Sequence, residues 1–266
     1  MRLTTMLRAS ALAAVLILTL AACGDGDGGG GELGLVSEGT LTVCTDAPYP
    51  PMEFEENGEF TGFDIELVRA IAEEMGLDGI EVINSGFDPI TSGAVFQDPK
   101  QCDVAAASIT ITEDREGSID FSDPYFDADQ SLLVKTDSGA SSLEDLAGER
   151  IGVQSGTTGE TYAQENTPEG AEIVSFDEPG DMFVALEAGD IVAVLQDIVV
   201  NQGRALEDDS VEVAEAFPTD EQYGFAFAEE GSDPLQEAFN EALSTLQDDG
   251  SYDQIFDEWF PTGAGA

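Results

Sequence analysis

The stretch Thr110-Ile-Thr-Glu-Asp-Arg115, followed by Asp120-Phe-Ser-Asp-Pro-Tyr125, sets an arginine beside a run of hydroxyls. A guanidinium fork matches a carboxylate bidentately, and hydroxyls and backbone N–H groups can complete the cage. Cations are scarce in this chain: eight Lys and Arg face 56 Asp and Glu, and Arg2 and Arg8 lie in the first ten residues. Arg115 is therefore a candidate anion clamp. The plainer alternative is a surface ion pair with Glu113 or Asp114. Several other chemistries are closed. The chain has no histidine, which removes Ser-His-Asp triads, histidine-ligated zinc and histidine-activated thiols.

The elements that must position Arg115 alternate strand and helix signals, an α/β order. Residues 41–45 read as a short apolar strand leading into Asp46-Ala-Pro-Tyr49-Pro-Pro51, a loop stiffened by three prolines. Glu56-Asn-Gly58 is a hairpin signal between residues 52–55 and 59–61. Phe63, Leu67, Ile71 and Met75 recur every four residues and predict a helix stopped by Gly76. Asp88-Pro89 reads as an N-cap and first helical residue, opening a helix to about Phe96. Residues 103–109 are nearly all apolar and predict a buried strand that delivers Thr110 at its end. Further strands are expected at 81–83, 131–135, 151–153, 173–176, 192–195 and 223–227, and further helices at 142–146, from about 160, at 181–188, 235–246 and 252–260.

Two α/β units thus follow one another, joined near Ser131, with enough helix at the end to return to the first. The expected organisation is a discontinuous first lobe (37–130 and 228–266) and an inserted second lobe (131–227), each a central sheet flanked by helices, with a ligand cleft between them. Ligands of open α/β sheets bind beyond the carboxyl ends of the strands. Asp46, Thr110, the Ser155-Gly-Thr-Thr158-Gly159 loop and Asp197 all fall at such ends. That convergence favours Arg115 as a site residue over the ion pair.

The N-terminus reads as a processing signal over residues 1–22. Arg2 and Arg8 give a positive start, and the apolar run 9–20 is too short to span a membrane stably. It ends in Leu20-Ala-Ala-Cys23, small residues before a cysteine that resemble the lipobox of bacterial lipoproteins. The resemblance implies lipidation of Cys23 and an anchor on the outer face of the cytoplasmic membrane. A Gly/Asp tract follows, so 23–36 is expected to be a flexible tether. Cys44 and Cys102 then remain as an even pair in an oxidising compartment, and a disulfide between them is expected, with two buried thiols as the alternative. No second apolar span follows, so the body is expected to be soluble. The formal net charge is −48, which makes nucleic acid and anionic lipid surfaces poor partners.

Taken together, Leu41-Thr-Val-Cys-Thr-Asp46-Ala-Pro-Tyr-Pro-Pro, Gly62-Phe-Asp-Ile-Glu-Leu67, the Arg115 motif, Asp120-Phe-Ser-Asp-Pro-Tyr125, Ser142-Leu-Glu-Asp-Leu-Ala-Gly148, Gly152-Val-Gln-Ser-Gly-Thr-Thr158 and Asp249-Gly-Ser-Tyr-Asp-Gln-Ile-Phe-Asp-Glu-Trp-Phe260 resemble a known family. It is the bacterial extracellular solute-binding proteins of family 3, the polar amino acid receptors of ABC importers. The resemblance covers nearly everything after Val36. It implies the two-lobed type II periplasmic-binding-protein fold, closing on its ligand about a hinge. It also implies roles: Arg115 would clamp the ligand α-carboxylate, with Thr110, the backbone near Ser108 and Thr158 at a helix N-terminus as further donors. Asp197 would bind the α-ammonium, Tyr49 and Phe87 would sandwich the side chain, and Asp46 and Gln154 would face its polar end. Implied partners are the amino acid and the permease's transmembrane subunits, for a monomer with no cofactor, no metal and no catalytic residue.

Blander roles exist for several of these: Asp197 as a helix N-cap, Asp46 as a turn former, Thr110 as a strand end, Tyr49 and Phe87 as core aromatics. Many relatives carry glycine where Ser108 stands, and a basic or small residue where Gln154 stands. Lys100, Lys135, Arg69, Arg150 and Arg204 are expected outside the pocket, which disfavours acidic ligands; Asp46 with Gln154 suits a neutral polar or cationic amino acid. An enzyme of the cyclohexadienyl dehydratase type would need an acid or base in the cleft, for which Asp46 or Glu53 could serve, but one arginine is a thin clamp for a dianion. A sensor read by a separate membrane partner is the third reading. The charge excess points to a habitat of high ionic strength, because salt screens self-repulsion. The melting temperature should therefore rise between low and molar salt; an unchanged value contradicts that expectation.

Overall fold

The computed structural model describes residues 33–260. The expected leader, Cys23 and the tether as far as residue 32 lie outside the described residues. In chain order the structure runs β1 (Thr40–Thr45), a hairpin of β2 (Phe54–Glu56) and β3 (Glu59–Thr61), α1 (Phe63–Glu74), β4 (Gly79–Asn84), α2 (Phe87–Thr91), β5 (Val104–Ala105) and β6 (Ile119–Phe121). It continues with β7 (Phe126–Lys135), β8 (Arg150–Gln154), α3 (Thr158–Asn166), β9 (Glu172–Phe176), α4 (Pro179–Ala188), β10 (Ala193–Asp197), α5 (Ile198–Glu207) and β11 (Val211–Tyr223). β12 (Ala226–Ala228), α6 (Asp233–Asp249) and α7 (Ser251–Trp259) complete it. Among the described residues no helix is long and apolar enough to cross a membrane.

Two five-stranded mixed sheets result, ordered β4-β1-β5-β12-β6 and β11-β7-β10-β8-β9. The chain passes from the first to the second between Phe121 and Phe126, and back between Tyr223 and Ala226. The two crossings lie side by side: the Tyr125 N–H donates to the Tyr223 carbonyl (3.0 Å) and the Ser122 N–H to that of Phe225 (2.8 Å). Aromatic pairs lock them, Tyr125 stacking on Phe225 at 4.1 Å between centroids and Phe126 on Tyr223 at 5.5 Å. Phe256 and Phe260 then bring the C-terminal end back onto Phe63 of α1. Such pairs contribute about 1 kcal/mol each beyond their buried area.

Several expected boundaries move. β7 begins at Phe126, inside the residues expected to close the first lobe, because Phe126, Ala128 and Gln130 alternate inward while Asp127 is exposed. β12, expected on the second lobe as part of a 223–227 strand, belongs to the first sheet, and Gly224 separates it from β11. The expected strand 103–109 pairs only at Val104–Ala105, since the chain turns out of the sheet at Ser108, which takes φ +48°. The expected helix 88–96 is broken: Gly93 sits at φ +74° between α2 and a single 3₁₀ turn, and Gly86, not Asp88, holds the N-cap position. β6 and most of the acidic, proline-containing β11 are not legible as strands. Cys44 and Cys102 form a disulfide that joins the end of β1 to the segment before β5.

One glycine is dictated by the loop that carries the expected site residues. The N–H groups of Phe63 and Asp64, which open α1, donate to the carbonyls of Pro51 and Met52 (3.0 and 2.9 Å). This satisfies part of the helix's free N-terminus and draws the loop against Gly62. A Cβ there would lie 2.2 Å from the Met52 carbonyl oxygen, at φ +118°. Gly62→Ala should therefore destabilise the protein by at least ~2 kcal/mol in urea unfolding; an unchanged midpoint contradicts this account of the loop.

Candidate functional site

The carboxyl ends of β1, β5, β8 and β10 face one another across the gap between the sheets, and the loops beyond them enclose a small cavity of about 20 Å³. Asp46, Tyr49, Phe87, Ser108, Thr110, Arg115, Gln154, Thr158 and Asp197 all line it, together with Glu53, Ala107 and Thr157. The nine residues expected at the site are thus brought together, from segments of both sheets.

Each is placed by a local reason. Asp46 follows β1 directly, and backbone bonds in both directions between Tyr49 and Glu53 fold the proline loop so that both side chains reach the cavity. Ser108 is held by its N–H, which donates to Asp64 (2.9 Å), while its hydroxyl donates to Glu53 (3.1 Å). Its left-handed backbone explains why glycine suits this position, and the bond to Asp64 offsets the strain. Arg115 starts a single 3₁₀ turn and is buried. It donates to the carbonyl of Thr110 in the first lobe (2.7 Å) and of Gly156 in the second (3.2 Å), and its guanidinium lies 5.0 Å from the centre of the Phe87 ring. That is cation–π range. Thr157 caps α3, accepting from the Glu160 N–H, so Thr158 sits in the first helical turn.

Asp197 ends β10 at the N-cap position of α5, yet its side chain makes no capping bond. Its carboxylate instead accepts from the Tyr49 hydroxyl (2.8 Å), the Tyr223 hydroxyl (2.7 Å) and the Gln130 amide. Gln154 reaches across to Asp46 at 2.7 Å. Together with Tyr49–Asp197 and the Arg115–Gly156 bond, this closes the two lobes on each other. Gln130, Tyr223 and Glu221 take part without having been expected. For Gln130 a signal existed, since it continues the inward alternation of Phe126 and Ala128. Among the described residues no group of three or more Cys, Asp or Glu is placed to hold a metal ion.

The electrostatics are lopsided. Burial raises Asp46 to about 6, with Glu178 and Asp88 adding to the rise and Gln154 opposing it. Burial likewise raises Asp197 to about 6, against the donors Tyr223, Tyr49 and Gln130. Asp64 is raised by burial to about 7, and Glu53 is pushed well up by burial and by the neighbouring Asp64 and Asp46. Burial lowers the pKa of Arg115, while Asp197 and Glu221 support its charge. One cation therefore serves a cavity ringed by acids.

Two α/β lobes closed over a cavity with one arginine and several carboxylates define a type II periplasmic binding protein. The chain belongs to the bacterial extracellular solute-binding proteins, family 3, whose sequence model matches residues 41–262. It is 31% identical over 222 residues to the arginine-binding extracellular protein ArtP of Bacillus subtilis, covering 83% of this chain and 86% of that protein. An ancestral arginine-binding protein, solved bound to glutamine and bound to arginine, is 38% identical, with TM-scores of 0.76 and 0.75 over 84% of this chain and 99% and 98% of that one. The ancestral amino acid-binding protein AncCDT-1, a precursor of cyclohexadienyl dehydratase, is 36% identical with a TM-score of 0.73, over 84% and 95% of the two chains.

The raised carboxyls set a pH dependence. Asp46, Asp197 and Asp64 hold protons in the folded state up to about pH 6–7, from an ordinary value of 3.8. Between about pH 4 and 7 the folded state therefore binds more protons than the unfolded one. Stability falls as pH rises through that range, by ~1.4 kcal/mol per pH step for each extra proton held. Asp145, Asp208 and Asp249 are shifted the other way, but they are fully exposed and act only at lower pH. Ligand-free protein should melt at higher temperature at pH 5 than at pH 7.5; the reverse order contradicts this account.

Proposed function

We propose that this protein is the extracytoplasmic receptor of an ABC importer, binding an amino acid zwitterion by closure of its two lobes and handing it to the permease. In this reading it is a monomer, held to the outer face of the cytoplasmic membrane by a lipid on Cys23. The observation that carries the reading is that Arg115 and Asp197 line one cavity, on segments from opposite lobes. A zwitterion needs one cationic clamp and one carboxylate, both desolvated on closure. Arg115, Thr110 and Thr158 would take the α-carboxylate, Asp197 the α-ammonium, and Tyr49 and Phe87 the side chain.

Asp46 and Glu53 favour a cationic side chain, since both acids line the same cavity and the buried base there is already committed. Arginine is the leading ligand and glutamine the neutral alternative, in keeping with what the named relatives bind. A dehydratase reading draws support from Glu53, a carboxyl at the cavity wall that burial pushes upward, the direction a general acid needs. The single arginine weighs against it.

A ligand that binds only the folded state raises the melting temperature by mass action. Among the common amino acids, ornithine, citrulline, small betaines and prephenate, the largest shift is expected with arginine. Arg115→Ala and Asp197→Ala should each weaken arginine binding by at least ~2 kcal/mol, because each leaves an unpaired charge in the closed cleft. Near-native affinity in both variants overturns the site assignment, and turnover of prephenate moves the function to the enzyme.

A further inference from the structure

Glu221 occupies the donors assigned above to the ligand carboxylate. It lies near the end of β11, at the far side of a break in the β11–β7 pairing between Phe217 and Glu221, where Asp220 takes φ +54°. The strand is held beside the Arg115 motif here, since the Ile111 N–H donates to the Gln222 carbonyl (2.9 Å). Glu221 Oε2 accepts from Thr110 Oγ1 (3.1 Å) in the first lobe, Thr158 Oγ1 (2.7 Å) in the second, and Gln130 Nε2 (3.2 Å). Its charge is also among those supporting protonated Arg115. Thr110, Arg115 and Thr158 line both the inner cavity and an open groove on its other side, and Glu221 lines that groove. The carboxylate therefore stands at the boundary between solvent and the enclosed site.

The conflict is one of proton supply. A hydroxyl has one hydrogen to donate. Thr110 and Thr158 spend theirs on Glu221, so neither can donate to a ligand carboxylate while Glu221 stays in place. A second carboxylate brought to the same donors would also meet an unscreened like charge. Gln130 is drawn in as well, because its amide nitrogen is shared among Asp197, Thr158 and Glu221 while its Oε1 has no partner.

We propose that Glu221 is an affinity-setting residue: its carboxylate competes, as a tethered anion, for the hydroxyl donors of the ligand α-carboxylate and must withdraw toward the groove when a ligand binds. The inference rests on the proposed carboxylate subsite. Its consequence is a weaker but faster-released ligand, since Glu221 stands ready to recapture the donors as the ligand leaves. The specificity consequence is separate: only ligands bearing an α-carboxylate compete with Glu221, so decarboxylated analogues bind without displacing it.

Calorimetric titration of the wild type, Glu221→Gln and Glu221→Ala with L-arginine and with agmatine, which lacks the carboxylate, tests this. Both variants should bind arginine about 10-fold more tightly than the wild type, the exchange of roughly one charge-assisted hydrogen bond, with agmatine affinity unchanged within about twofold. Arginine affinity that is unchanged or weaker in both variants, with circular dichroism showing them folded, overturns the competitor role and makes Glu221 a positioning residue for the two threonines. Equal tightening for arginine and agmatine also overturns it. Failure of the underlying reading looks different: neither arginine nor glutamine binds any of the three proteins, or Arg115→Ala leaves arginine affinity intact, and the proposal falls with it.

Discussion

Four carboxylates, on Asp46, Glu53, Asp64 and Asp197, are buried in or just beneath the cleft, and one guanidinium, on Arg115, is buried with them. Taking charges out of water costs several kcal/mol per ion after relaxation. The protein meets this cost in two ways. Protons are retained, with Asp46 and Asp197 raised to about 6 and Asp64 to about 7. Neutral donors are also aimed at the acids: Tyr49, Tyr223 and Gln130 at Asp197, Gln154 at Asp46, and Tyr125 with the Ser108 N–H at Asp64. Neither measure supplies positive charge. A ligand carrying an ammonium and a cationic side chain does, and that shortfall is the physical basis of the proposed selectivity.

The rest of the fold holds this imbalance in place. Strand ends from both sheets converge on the cavity, so the acids and the arginine arrive on separate segments that meet there. The crossings between sheets, locked by Tyr125, Phe126, Tyr223 and Phe225, join the lobes on one side and leave the cleft side to polar contacts. Those contacts are few and hydrogen-bonded, such as Tyr49–Asp197 and Gln154–Asp46. They can be exchanged for ligand contacts more readily than a packed apolar interface. Tyr223 belongs to both systems: its ring stacks at the crossings and its hydroxyl donates to Asp197. The contact between the lobes and the proposed ammonium site therefore share one residue.

Much of the architecture is legible from periodicity. α1 shows its apolar stripe, β1 is followed by an acid and β10 ends in one, and Asp233-Pro234 opens α6. Arg115 is conspicuous because the chain is so poor in cations. What is hidden depends on tertiary pairing. β7 and β11 alternate buried residues with acids, and the acids mask the strand signal. The inward turn of Glu221 comes from a pairing break and a left-handed Asp220, neither of which a local pattern reveals. Ser108 ends its strand early because Asp64, 44 positions away, claims its N–H. Glu53 is visible in sequence as an acid, but not as one folded against Tyr49 by a two-way backbone bond.

The measurement closest to the central claim is a proton count on ligand binding. Titrating the protein with L-arginine at pH 6 and pH 8, in buffers of different ionisation enthalpy, gives the number of protons exchanged. If a cation completes a cluster of partly protonated buried carboxyls, binding should release protons, and more at pH 6 than at pH 8, because arriving positive charge lowers their pKa. Arginine binding with no proton release at pH 6, or with net uptake, would contradict the account.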